Sequence, residues 1–167
     1  MSYITIALFS LLTMAALTDV QQHRIPNVLT IPAMLFGLFS HIYLRGMDGM
    51  LFSAGGLMLG IGVLLFFYLF GMMGAGDVKL MGAVGSMIGP QEVFQAFIYT
   101  AFAGGIYAVI VLARGGQLKR FLKRIFISLH VSLINRRPTL IPEEGRASPQ
   151  LCYGIAIAVG TTIAVFF

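Results

Sequence analysis

The stretch GMMGAGDVKLMGAVGSMIG, residues 71–89, decides how the chain is threaded. It closes a long apolar run and sets Asp77 and Lys79 behind two glycines. It then resumes an apolar course for only the segment 78–89. As a helix those roughly twelve residues rise about 18 Å, well short of a hydrocarbon core of about 30 Å. The segment is therefore a short helix buried among its neighbours or a re-entrant piece. Whether it crosses fixes the side of everything after it.

The rest of the chain reads as a membrane protein. Of its 167 residues 58% are hydrophobic and 10% charged, which excludes an ordinary soluble domain. Five further segments approach or exceed the roughly 20 residues that span a bilayer: 2–18, 27–44, 51–73, 92–113 and 150–167. No Lys or Arg precedes the first, so it is expected to be a retained span and not a secretory signal. The loop at 114–149 holds eight Lys and Arg residues, from Arg114 to Arg146, against Glu143 and Glu144. Such loops stay in the cytoplasm. The short loop with His23 and Arg24 is also basic. Both basic loops share a side only if 78–89 crosses, with both termini then outside.

The sequence thus predicts an all-α integral membrane protein of about six transmembrane helices with a short fourth helix, a single polytopic domain over 1–167. Within the basic loop, Leu118, Phe121, Leu122, Ile125, Phe126, Leu129 and Leu133 recur at helical spacing, with Lys119, Arg120, Lys123 and Arg124 mainly opposite. That pattern suits an amphipathic helix over 118–133 lying in the cytoplasmic interface on anionic lipid. A helix packed on the spans is the alternative. A basic face beside a membrane argues against a nucleic-acid partner.

The acids sort by depth. Asp19 ends the first span and Asp77 follows the third, so the six-span reading brings both to the cytoplasmic side. Asp48 and Glu92 fall on the other side. Two carboxylates at one site can share a proton, one activating a water while the other polarises a carbonyl. That chemistry is aspartic proteolysis and needs neither metal nor cofactor. With one cysteine, Cys152, and three scattered histidines, no metal site is expected. The plainer alternative is that Asp19 and Asp77 cap helix ends. Gly74 and Gly76 would let an extended peptide approach.

GAGDVK at 74–79 resembles the G-x-G-D motif of intramembrane aspartyl proteases. TDVQQHRIPNVLT at 18–30 resembles the segment carrying the first catalytic aspartate of prepilin peptidases. PQLCYGIAIAVG at 149–160 is similar to their final-helix signature. The resemblance implies Asp19 and Asp77 as catalytic aspartates, with Gly74, Gly76 and Lys79 as motif residues. Arg24, Ile25, Pro26 and Asn27 would form the turn that opens the second helix. It further implies a multi-pass protein of a prokaryotic inner membrane, with its active site at the cytoplasmic face. The expected partner is a prepilin-like precursor with a short basic leader. Larger members add zinc-binding cysteine pairs and methylate the new N-terminus. The chain resembles the short, cleavage-only form associated with tight-adherence (Flp) pilus systems or with archaeal-type preflagellins, without that methyltransferase domain.

Several side chains stay open between two roles. Arg24 lowers the pKa of an aspartate or anchors its loop at the headgroups. Lys79 snorkels or contacts substrate. Asn27 is expected to cap the second helix, with Pro26 fixing its start. Tyr153 can approach the site from the last helix. A proton-coupled transporter and a non-enzymatic pilus-assembly component are the competing functions, since intramembrane acids also mark ion paths.

Overall fold

The computed structural model describes residues 3–70, 73–114 and 153–166, all in helices or short turns. The helices are α1 (Tyr3–Gln22), α2 (Asn27–Leu69), α3 (Ala75–Ile88), α4 (Pro90–Arg114) and α5 (Tyr153–Phe166). The expected amphipathic helix at 118–133, and the rest of the loop at 115–149, lie outside the described residues. Residues Met1–Gly104 with Cys152–Phe167 make one compact unit. Gly105–Leu151 make a second, of which the last turns of α4 are described.

Three helical stretches are long and apolar enough to cross a bilayer: Tyr3–Gln22, Asn27–Leu69 and Pro90–Val111. Their outward residues are large and apolar, among them Val28, Tyr43, Met58, Leu69 and Phe102. In water so much exposed hydrocarbon would drive aggregation; in lipid it is the solvated face. The protein is an all-α membrane protein.

α2 is a hairpin. The expected second and third spans are its two arms, 27–45 and 47–69, each about 30 Å long. They meet at Gly46, whose φ of 60° and ψ of −132° suit glycine and strain any L side chain. A loop at 45–50 was the expectation. Instead helix resumes directly after Gly46. The arms run side by side: the His41 and Phe52 rings lie 5.2 Å apart, and the Arg45 guanidinium sits over Phe52 at 5.7 Å.

The short α3 is the core of the unit. Every residue from Leu80 to Ile88 is buried, so this short helix is wrapped by its neighbours. Its closest partner is the α2 hairpin. Gly56 and Gly85 touch backbone to backbone, and Gly60 rests on the Met81 carbonyl. Small residues four apart let membrane helices approach this closely. The Ser53 hydroxyl donates to the Ser86 carbonyl at 2.7 Å across the same seam. Gly89, at φ 87°, ends α3 and turns the chain into α4. α5 runs antiparallel to α1, with Phe166 stacked on Phe9 at 5.9 Å.

Two helix ends differ from expectation in ways that matter for the site. α1 continues to Gln22, so Asp19 lies one turn inside its helix instead of ending it. α3 starts at Ala75, so Asp77 sits in its first turn and not ahead of it. Gln21 and Gln22 mark the chain leaving hydrocarbon, which is a different event from a helix stopping.

Candidate active site

Four helix ends converge at one end of this unit: the C-terminus of α1 and the N-termini of α2, α3 and α5. The turn joining α1 to α2 begins with His23, a non-glycine residue at φ 49°, whose N–H donates to the Asp19 carbonyl at 2.8 Å. That left-handed residue stops α1 and reverses the chain. Ile25 is then buried and Pro26 stands at the start of α2. Asn27 was the expected cap. It is the first helical residue, and among the described residues no side chain caps α2.

Asp19 and Asp77 are 5% and 9% exposed, against exposed Asp48 and Glu92. Burying an acid is costly unless its carboxyl is hydrogen-bonded or protonated. Both carboxyls find backbone donors at helix N-termini. Gly154 N–H, in the first turn of α5, donates to Asp19 Oδ2 at 2.8 Å. Gly74 N–H, just ahead of α3, donates to Asp77 Oδ2 at 3.1 Å. The second contact is the reach-back half of a capping box. Asp77 therefore does cap α3, and that local role accompanies its place beside Asp19.

The two acids interact. Asp77 precedes the apolar segment 78–89, and burial pushes its carboxyl from 3.8 up to about 6. The Gly74 N–H pulls it back down, and the charge of Asp19 pushes it further up. The phenol of Tyr153 is close enough to feel the charge of Asp77. Its ring lies against α4 at Gly104.

The flanking motif residues pack the two turns together. A side chain at Gly76 would meet the Cβ and carbonyl of Ile25 at 3.1 and 3.2 Å. Lys79 Nζ donates to Asn27 Oδ1 at 2.8 Å, so the lysine is tied to the turn after α1. Arg24 is exposed on that turn. Sequence reasoning singled out no role for Gly154. A Cβ there would lie 2.9 Å from Asp19 Oδ2 and 3.0 Å from Asp19 Cβ. Its only advance signal was a glycine beginning the last apolar run. Among the described residues no three His, Cys, Asp or Glu side chains gather as metal ligands.

The family model describing type IV leader peptidases matches residues 6–109, which include both acids and the turns around them. The chain belongs to the type IV leader peptidase family. Its activity class is that of a leader peptidase acting on prepilin-like proteins. No match was found among curated proteins or among solved structures. Family membership gives the reaction class; the roles of individual side chains have to be argued from their chemistry.

Proposed function

We propose that the protein is an aspartic-type endopeptidase in which Asp19 and Asp77 are the catalytic pair. The substrate is a prepilin-like precursor of the tight-adherence (Flp) type, cut after its short basic leader at the cytoplasmic face of a prokaryotic inner membrane. One observation carries this reading. Two buried carboxylates, 58 residues apart in sequence, come from separate helices to one end of the bundle, where the charge of Asp19 acts on the Asp77 carboxyl. Helix caps alone would leave them solvated and apart.

In the reaction the ionised carboxylate takes a proton from water as its oxygen attacks the scissile carbonyl. The protonated carboxyl gives its proton to the carbonyl oxygen. The tetrahedral adduct then collapses: the C–N bond breaks, the amine nitrogen takes the proton that the first carboxyl drew from water, an adduct hydroxyl returns its proton to the ionised carboxyl as the C=O re-forms, and a carboxylic acid and an amine leave. The pair ends with the single proton it began with. The pKa of Asp77, raised to about 6, lets it hold that proton well above the ordinary carboxylate range. A precursor's apolar helix can lie among the spans while its basic leader stays in the cytoplasm. The cytoplasmic side is inferred from the charge of the 114–149 loop and from counting 78–89 as the fourth of six crossings. Arg24 anchors the turn at the headgroups, and anionic lipid is the partner that the basic residues of 118–133 call for. Acids at one end of the helices favour this reading over a transporter, whose acids belong near the midplane.

The test is co-expression with a small pilin-like precursor. Processing of the precursor by the wild-type chain, seen as a mobility shift with a new N-terminus after the leader, supports the proposal. An uncut precursor in the presence of folded protein contradicts it.

A further inference from the structure

Asp77 lies between two contacts that reach the same short turn. One residue before it, Gly76 packs on the backbone of Ile25. Two residues after it, Lys79 Nζ donates to Asn27 Oδ1 at 2.8 Å. Ile25 lies in the turn that His23 starts immediately after the helix carrying Asp19, and Asn27 is the first residue of α2 at the end of that turn. The start of α3, which bears one acid, is thus fastened at two points to the chain that follows the other. The first contact is steric and holds the backbones together. The second is a polar bond between side chains 52 residues apart, at an otherwise exposed edge.

We propose that Lys79 and Asn27 are positioning residues: their hydrogen bond fixes the angle of the first turn of α3 and so sets the spacing of Asp77 from Asp19. This rests on the reading of those two acids as the catalytic pair. The bond is directional, and Lys79 points away from Asp77 on its helix, two positions on. Its contribution is geometric, acting through Asn27. A shift of an ångström in one carboxyl is enough to lower a rate by one or two powers of ten.

The test is a double-mutant cycle in the full-length protein, purified in detergent, on a co-purified precursor. Lys79→Met removes the donor and keeps the apolar stem. Asn27→Ala removes the acceptor. Each single change is expected to lower kcat about tenfold while KM stays within about twofold. The double variant is expected to be no worse than the poorer single, because each change already breaks the same bond. Lys79→Arg and Asn27→Asp keep a donor and an acceptor and should return kcat to within about threefold of wild type.

Several results overturn the proposal. A multiplicative double variant means the residues act separately. A KM increase in Lys79→Met alone means the lysine holds the precursor. A displaced pH–rate profile in Lys79→Met but not in Asn27→Ala means its charge acts on the acids directly. Failure of Lys79→Arg to rescue, with folded protein, also overturns it. Unfolding midpoints are read across the same cycle. Coupling there without coupling in kcat reduces the tie to a structural one and overturns the positioning role. If wild-type protein cuts no precursor, the proteolytic reading fails and the positioning role falls with it. If wild-type protein cuts normally and the cycle is uncoupled, only the tie fails.

Discussion

The two ends of the helical unit solve opposite problems. At the far end the chain turns at Gly46 and Gly89, both at positive φ, and its acids Asp48 and Glu92 lie exposed. Neither of these carboxyls is buried as Asp19 and Asp77 are. At the near end the chain turns at His23, where glycine would be easier, and buries Asp19 and Asp77 within reach of each other's charge. An end built only for stability would resemble the first. The second accepts two buried acids and a left-handed histidine. Such local costs gather where a chemical function requires them.

The sharpest way to break this contrast is to neutralise acids at both ends. Asp19→Asn and Asp77→Asn are each expected to lower precursor cleavage by at least about 10³-fold, since members of a catalytic unit fail singly. Asp48→Asn and Glu92→Gln should cleave at wild-type rates. Substantial loss in either far-end variant would erase the distinction.

The pH–rate profile comes next. With its carboxyl raised to about 6, Asp77 surrenders its proton as pH rises through that region. Cleavage should fall by roughly tenfold per unit above it, about a hundredfold by pH 8 if one proton is required. The limb belongs to the coupled pair. Circular dichroism at each pH separates it from unfolding. A rate still rising above pH 9 in folded protein would contradict a shared proton.

Gly154 and Gly55 sharpen the comparison at the level of one methyl group. A Cβ at Gly154 intrudes on Asp19, whereas one at Gly55 meets open space. Gly154→Ala should lower kcat about tenfold or more. Gly55→Ala should leave it unchanged and slightly favour the helix. Equal behaviour would mean that the close approach to Asp19 carries no function.

The smallest effect is on stability. Because the folded-state pKa of Asp77 lies above its ordinary 3.8, folding favours the protonated acid. That contribution is complete below about pH 4 and is lost as pH rises through about 6. Asp77→Asn keeps an oxygen to accept the Gly74 N–H and has no charge to bury. Above pH 6 the variant should be more stable than wild type, by on the order of 2 kcal/mol, with the gap closing toward pH 4. Unfolding midpoints across that range check it. A variant less stable at pH 8 would mean that the Asp77 carboxylate is held favourably in the fold.

Much of the near end was legible in the sequence because its signals are local. A G-x-G-D stretch and an aspartate ahead of R-I-P-N are contiguous patterns, and loop charge sorts acids by side. The short segment at 78–89 was legible as an anomaly, and in the fold its neighbours bury it. Gly46 was hidden inside a loop expectation, because a single glycine can reverse two helices without any polar spacer. The bond from Lys79 to Asn27 and the fit of Gly154 on Asp19 were not legible. Each joins positions far apart in the chain, and neither side chain differs in type from many that only pack or snorkel.

The central claim is that Asp19 and Asp77 act as one unit. The most direct measurement is the cleavage rate of a single precursor by Asp19→Asn, Asp77→Asn and the double variant, in folded, detergent-purified protein. One unit predicts that each single change removes nearly all activity and that the double variant is no slower than the slower single. A single variant that keeps a tenth or more of the wild-type rate, or a double variant slower by the product of the two effects, would contradict it.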